Sequence, residues 1–344
     1  MLKQIYKIVS SLMLIMLLFV VSACGNKNND SFNEDSNGET NLTITMIGSS
    51  MNDPVSLRAK QGAETHIEKL NNKHQKLTIT LEWNAPEKED VEIQKTLIQA
   101  AVNNNSDAII ISCSDSKMLD DEINKAEDAG VSVITIDRDA PYSKRTAYYG
   151  ANQYEMGKNI IEKMAVLTDE EGQLVVLAGN PNAYNQQERI RGIEEVLKDY
   201  PDMRVIETIY HSETQLAASE AMLKILNQHP GLNGLILLGS WPFYDDQLLN
   251  ENLPENLNIL TVNAMPSLFP YIENDIIQAC IGQPLSKLGG GAIDLIVNHL
   301  YLEKDINEIN TLGVIPVSID NLGGWSRQSR AWGYEGIAKK YLTM

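Results

Sequence analysis

SDAIIISCSDSKMLDDEINKAEDAGVSVITIDRDAP, residues 106–141, carries two β-branched runs, DAIIIS (107–112) and SVITID (132–137), separated by a polar stretch. Each run has the length of a strand, and neither alternates between apolar and polar residues. That is the signature of a strand covered on both faces, as in a parallel sheet. The second run ends in three adjacent charges, Asp137, Arg138 and Asp139, with Pro141 just behind. An isolated charge cannot stay in an apolar core without a partner. The three residues are therefore expected just past the strand's carboxyl end, facing water or something that takes its place.

The same grammar extends in both directions. Strands are expected at 42–47 (LTITMI), 77–83 (LTITLEW), 173–178 (QLVVLA), 204–210 (RVIETIY), 234–239 (GLILLG), 258–262 (NILTV) and 277–282 (IQACIG). Between them lie segments of helical period, such as Ala63-Ile67-Leu70, Ile93-Leu97-Ile98-Ala101 and Ile190-Ile193-Val196-Leu197. Strands alternating with helices predict an α/β chain with parallel sheets and crossover helices. The pattern restarts after Ala147-Tyr148-Tyr149-Gly150, so two βα halves are expected, divided near residues 150–153. Open parallel sheets bind ligands beyond the carboxyl ends of their strands. With two sheets, the crevice is expected between the halves.

The residues at those ends are amides, hydroxyls, carboxylates and aromatics. They include Ser49, Ser50, Asn52 and Asp53, then Asp115, Trp241, Phe243 and Tyr244, then Asn263 and Gln283, with Arg138 as the strong cation. This mixture suits a neutral polyhydroxylated ligand, because carboxylates accept from hydroxyls, a guanidinium donates to oxygens and an indole covers a C–H face. Ser49, Ser50 and Asp115 read better as turn or cap residues, and Asn52-Asp53-Pro54 as a helix start. Trp241 before Pro242 reads equally as a packed loop aromatic. The five histidines lack metal-ligand spacing. No nucleophile elbow, P-loop or dinucleotide fingerprint is present, so no cofactor is expected. Gly289-Gly290-Gly291 reads as close packing or a hinge.

The N-terminus is different. Lys3 and Lys7 precede LMLIMLLFVV (12–21), which runs into Val21-Ser22-Ala23-Cys24. A basic segment, a short apolar run and small residues at a cleavage point read as a secretory signal. This segment resembles bacterial lipoprotein signals, which implies lipidation at Cys24 after removal of residues 1–23. Residues 24–40 are polar and expected to be a disordered tether. The formal charge of −18 argues against nucleic acid, whose phosphates need a basic footprint. Cys113 and Cys280 each close an apolar run and read as small buried hydrophobes.

The stretch 106–141 resembles the periplasmic sugar-binding proteins of ABC transporters, in their ribose-binding-like branch. Strand, Asp115, helix, Ala129-Gly130 and a strand ending in Asp137-Arg138 follow in that family's order. SSMNDPVSLRAKQGAE, QERIRGIEEVL and NAMPSLFPYIENDIIQACIGQP extend the resemblance over nearly all of residues 42–335. It implies the type I periplasmic binding protein fold, two Rossmann-like parallel-sheet domains joined by a three-crossing hinge. One domain would comprise 41–151 plus 284–313, the other 152–283 plus 314–335. It implies ligand contacts from Asn52, Asp53, Asp137, Arg138, Arg189, Trp241, Asn263 and Gln283, with Asp139 facing solvent. Where a ribose binder places two phenylalanines, this chain has Val55 and Ser56, so the stacking aromatic is sought among Trp241, Phe243, Tyr184 and Trp83. The role implied is a lipid-anchored receptor, without enzymatic activity, outside the cytoplasmic membrane. It would pass a monosaccharide or related polyol to an ABC permease. The competing readings are a lipoprotein that reports ligand to a histidine kinase or chemoreceptor, and a surface glycosidase using Asp137 and Asp139.

Overall fold

The structure is a computed structural model that describes residues 38–244, 253, 254 and 256–344. The expected signal at 1–23, Cys24 and the tether up to residue 37 lie outside the described residues. Among the described residues no helix is long and apolar enough to cross a membrane.

Residues 41–344 form one unit built on two six-stranded sheets. The first holds β1 (Thr40–Ile47), β2 (Leu77–Asn84), β3 (Ala108–Ile111), β4 (Ser132–Ile136), β5 (Ala147–Ala151) and β11 (Ile309–Leu312). The second holds β6 (Gly172–Ala178), β7 (Met203–Tyr210), β8 (Gly234–Leu237), β9 (Asn258–Val262), β10 (Ala279–Gly282) and β12 (Ile315–Val317). Their orders, β11-β5-β4-β3-β1-β2 and β12-β10-β9-β8-β6-β7, are the same arrangement written twice. β12 runs antiparallel to β10, whereas β3, β4 and β5 pair in parallel, as do β8, β9 and β10. β3 and β4 are buried along their whole length, as their unbroken apolar runs require.

Three strands were not legible. No strand was expected at residues 147–151, which form β5 inside the first sheet, nor at β11 and β12. β11 and β12 are short, largely exposed edge strands, so they lack the apolar run that marks the others.

Four of the described helices start at a side-chain cap. Asp53 accepts from the Val55 and Ser56 amides and opens α1 (Pro54–Lys73), with Pro54 in the first turn. Asp90 caps α2 (Val91–Asn103), and α3 spans Asp120–Asp128. Asn152 caps α4 (Gln153–Leu167), α5 spans Tyr184–Val196 and Thr214 caps α6 (Gln215–Gln228). After the short α7 (Phe269–Glu273) come α8 (Leu285–Ile296), α9 (Leu322–Ala331) and α10 (Lys339–Thr343).

Glycines weld one helix pair in each half. A methyl on Gly289 of α8 would lie 1.9 Å from the Ala59 carbonyl oxygen of α1, and one on Gly62 would lie 1.8 Å from Ser286 O. In the second half, a methyl on Gly157 of α4 would lie 2.1 Å from Arg189 O of α5, and one on Gly192 would lie 2.1 Å from Tyr154 O. Only glycine lets these backbones approach so closely. Gly291 packs against the Tyr149 ring in the same way, so the glycine triplet is close packing.

The chain passes between the sheets three times. Asn152 joins β5 to α4, Gln283-Pro284 joins β10 to α8, and Gly313-Val314 joins β11 to β12.

Candidate functional site between the two sheets

The two sheets present their carboxyl ends to each other. Each has a switch point where neighbouring strands lead to opposite sides, between β1 and β3 and between β6 and β8. A buried glutamine splints each gap. Gln94 of α2 donates to Gly48 O and Ser112 O, both at 2.9 Å, and accepts from Ser114 N. Gln186 of α5 donates to Leu238 O at 3.1 Å and accepts from Gly179 N at 3.1 Å. Ligands of open α/β sheets bind at such points.

The three charges that end β4 have three separate fates. Asp137 lies in the left-handed region at φ 54°, a conformation Asp and Asn tolerate better than most residues. Asn263 takes the same conformation, φ 64°, after β9 at the equivalent place in the second sheet. The turn at Asp137 aims its carboxylate across to the second half, where Asn185 Nδ2 donates to Oδ2 at 3.1 Å. Arg189 Nη2 lies 3.9 Å from Oδ1. Gln153 Nε2 and the Tyr148 hydroxyl both donate to the Asp137 carbonyl at 3.3 Å.

Arg189 is 1% exposed, and two of its nitrogens are engaged, Nε with Gln153 Oε1 at 2.9 Å and Nη1 with Leu238 O at 2.7 Å. Burial pulls its pKa below the usual value, with Asp137 the main opposing charge. Gln283 donates to Asn263 Oδ1 at 2.8 Å. Four buried atoms of this cluster have no hydrogen-bond partner: Asp137 Oδ1, Asn185 Oδ1, Gln283 Oε1 and Arg189 Nη2. Three acceptors and one donor at the ends of two sheets are the complement of a ligand rich in hydroxyls.

Arg138 points elsewhere. Its Nη1 donates to Glu89 Oε1 at 2.6 Å, from the loop after β2, and its Nη2 donates to Glu213 Oε2, from the loop after β7 in the other half. Asn180, after β6, completes the cluster, its Nδ2 donating to Glu89 Oε1 and its backbone N–H to Glu213 Oε1, both at 2.9 Å. Burial pushes the Glu213 carboxyl up to about 7, against the Arg138 charge and with help from Glu89 and Asp53. Burial works against the Arg138 charge too, but Glu213 and Glu89 hold its pKa above the usual value.

Asp139, expected to face solvent, is 4% exposed and fully engaged. It accepts from Arg145 Nε and Nη2, from Thr135 Oγ1 at 2.6 Å and from Ala140 N at 2.8 Å. The correction has a simple cause. Arg145 lies six residues on, where the chain doubles back towards β5, and a buried guanidinium needs a carboxylate.

Of the other expected contacts, Asn52 is exposed and Asp53 is occupied as the α1 cap, also accepting from Ser49 Oγ at 3.0 Å and Ser56 Oγ at 2.6 Å. Asp115 accepts from the Lys117 and Met118 amides, as a turn residue does. Trp241 is 6% exposed, lies against Gly179 and Gly239, and meets His211 edge-on at 4.9 Å. Phe243 is withdrawn into the core against Tyr271. Trp83 lies over Gly48 at the end of β1. Cys113 and Cys280 are buried free thiols. A surface groove of about 350 Å³ between α1, α8 and α9 is lined by none of the cleft residues.

Asn185, Gln153, Glu89, Glu213 and Asn180 were not anticipated. Glu89 and Glu213 do sit after strands, but each directly precedes a helix cap, Asp90 or Thr214, and reads as part of that start.

The periplasmic binding protein domain matches residues 44–304. The chain belongs to that family. Among the relatives of this periplasmic binding protein is the D-apiose import binding protein of Actinobacillus succinogenes, 29% identical over 149 residues, 43% of this chain and 48% of the relative. The ribose import binding protein of Bacillus subtilis is 26% identical over 187 residues, 54% of this chain and 59% of the relative. The chain thus spans about half the length of the curated relatives it matches. A solute-binding protein of an ABC transporter from Burkholderia graminis, solved in complex with D-arabinose, superimposes with a TM-score of 0.76 at 24% identity, covering 81% of this chain and 96% of that one. That likeness carries the fold of the periplasmic binding protein, two mostly parallel sheets flanked by helices.

Proposed function

We propose that this periplasmic binding protein captures a neutral monosaccharide or related polyol between its two sheets. The protein would be exported, held outside the cytoplasmic membrane by lipid on Cys24, and would deliver its ligand to an ABC permease. The observation that supports it is that Asp137 Oδ1, Asn185 Oδ1, Gln283 Oε1 and Arg189 Nη2 are all buried and without hydrogen-bond partners. The relatives that are import binding proteins for D-apiose and ribose support the ligand class. The lobes of this receptor are 41–151 plus 284–313 and 152–283 plus 314–335, and they would hinge at the three crossings. Ligand drives closure because it touches both lobes only in the closed form. A thermal-shift screen against aldopentoses, aldohexoses and pentitols tests the reading. A ligand at about a hundred times its Kd stabilises by about 2.7 kcal/mol, a shift readily resolved. A flat response across the whole panel sinks the proposal.

Closure also carries a pH signature. Glu213 faces Arg138 and Glu89, with Asp53 and Tyr244 within electrostatic reach. Its carboxyl titrates near 7 when buried, against an ordinary value of 4.5. A raised carboxyl favours the closed form fully below its ordinary pKa, and that advantage is lost as pH rises through the raised one. Ligand affinity should be on the order of tenfold higher at about pH 5.5 than at about pH 7.5. His211, whose pKa burial lowers, acts in the opposite direction, so the readout is the difference between wild type and Glu213→Gln. Parallel pH profiles for the two proteins would refute the assignment.

A further inference from the structure

Every guanidinium at the cleft already faces a carboxylate of this chain. Arg138 is flanked by Glu89 and Glu213, and Arg189 faces Asp137. The carboxylates outnumber the cations, because Asp53, Asp137, Glu89 and Glu213 stand around Arg138 and Arg189 alone. The pairing of Arg138 is also heavily built. Its side chain is 6% exposed and that of Glu213 is 7% exposed, and Asn180 orients both carboxylates from the second half. Buried charges without partners are costly, and a guanidinium fork is the natural seat for an incoming carboxylate or phosphate. Here both arms of the fork are taken.

We propose that Glu89 and Glu213 are specificity determinants that reserve this cleft for uncharged ligands. By occupying both arms of Arg138 they remove the cation that an acidic sugar would seek, and they leave an excess of negative charge that repels it. Uronates, aldonates and sugar phosphates are excluded, while neutral polyols remain free to meet Asp137, Asn185, Gln283 and Arg189. The inference rests on the sugar-receptor reading above for the location of the site. It adds the residues that hold the cleft to the neutral ligand class which that reading names. Arg138 in this arrangement joins the two halves through Glu213, and the hydroxyl contacts fall to its neighbours.

The test is calorimetric titration of wild type and a Glu89→Gln/Glu213→Gln variant with matched pairs: D-galactose and D-galacturonate, D-glucose and D-glucuronate, D-ribose and D-ribonate. Wild type should bind no acid of the set as tightly as its neutral partner. In the double variant the ratio of acid to neutral affinity should rise at least about tenfold for one pair, because two negative charges are gone and Arg138 is freed. Wild type binding an acid as well as its neutral partner overturns the inference, and so does an unchanged ratio in the variant. If wild type binds none of the neutral sugars, the receptor reading fails separately. The acid response of the variant still decides the charge filter, a gain supporting it and no gain overturning it. Should the double variant not fold, wild type is titrated with the acids at about pH 5.5 and about pH 8. Protonation of Glu213 at the lower pH must then raise the acid-to-neutral ratio, and a constant ratio overturns the proposal.

Discussion

Asp139→Asn is expected to destabilise the ligand-free protein by about 3–5 kcal/mol, the cost of leaving a buried guanidinium without its carboxylate. The Arg145 side chain is 1% exposed, and its remaining partner is Glu308 at 3.2 Å, a carboxylate that is 71% exposed. The substitution also weakens the hydrogen bonds to Thr135 Oγ1 and Ala140 N that fix the chain as it leaves β4. Asp139 offers no unpartnered atom to the cleft, so affinity for whatever the protein binds should stay within a few-fold at temperatures where the variant is folded. Thermal or urea unfolding without ligand gives the stability change. An unaltered melting temperature would mean that the Asp139–Arg145 pair holds nothing together.

Asp137→Asn should produce the reverse pattern. Asparagine accepts the left-handed backbone at φ 54° and can still accept from Asn185, and Arg189, whose Nη2 lies 3.9 Å from the carboxylate, keeps its hydrogen bonds to Gln153 and Leu238, so the fold should lose less than in Asp139→Asn. Ligand binding should suffer, because a hydroxyl that donates to a carboxylate now meets a neutral amide. A charge-assisted hydrogen bond is worth roughly 1.5–3 kcal/mol, so affinity should fall by about one to two powers of ten. Calorimetry with the best ligand from the sugar screen measures this. Affinity within twofold of wild type would remove Asp137 from the site.

The two predictions assign adjacent residues of one strand end to stability and to binding, and nothing local in their sequence says which is which. The division depends on partners 49 and 75 residues away for Arg138, and 48 for Asp137. Strands buried on both faces were legible because burial writes an apolar run, and the start of α1 was legible because its cap at Asp53-Pro54 is local. β11 and β12 escaped because an exposed edge needs no such run and tolerates Pro316. β5 escaped because AYYGA offers small and aromatic residues in place of a β-branched series. The strand-end principle singled out Asp137, Asn263 and Gln283, and the family resemblance added Arg189, all four of which are buried. Glu213 and Glu89 were hidden by position, since an acid beside a helix cap already has a sufficient local explanation.

The three links between the sheets are one, two and two residues long: Asn152, Gln283-Pro284 and Gly313-Val314. Two residues, fully stretched, reach about 7 Å. Sliding the halves apart is therefore forbidden by chain length, and the only large displacement left is rotation about a line through the links. The glycine welds between α1 and α8 and between α4 and α5 begin within a turn or two of Gln283-Pro284 and Asn152, so neither half can absorb that rotation by bending. Closure as proposed would concentrate in a few backbone torsions, and one of the residues that would carry them, Gln283, also holds a buried oxygen without a hydrogen-bond partner. In the proposed receptor, axle and sensor would share a side chain.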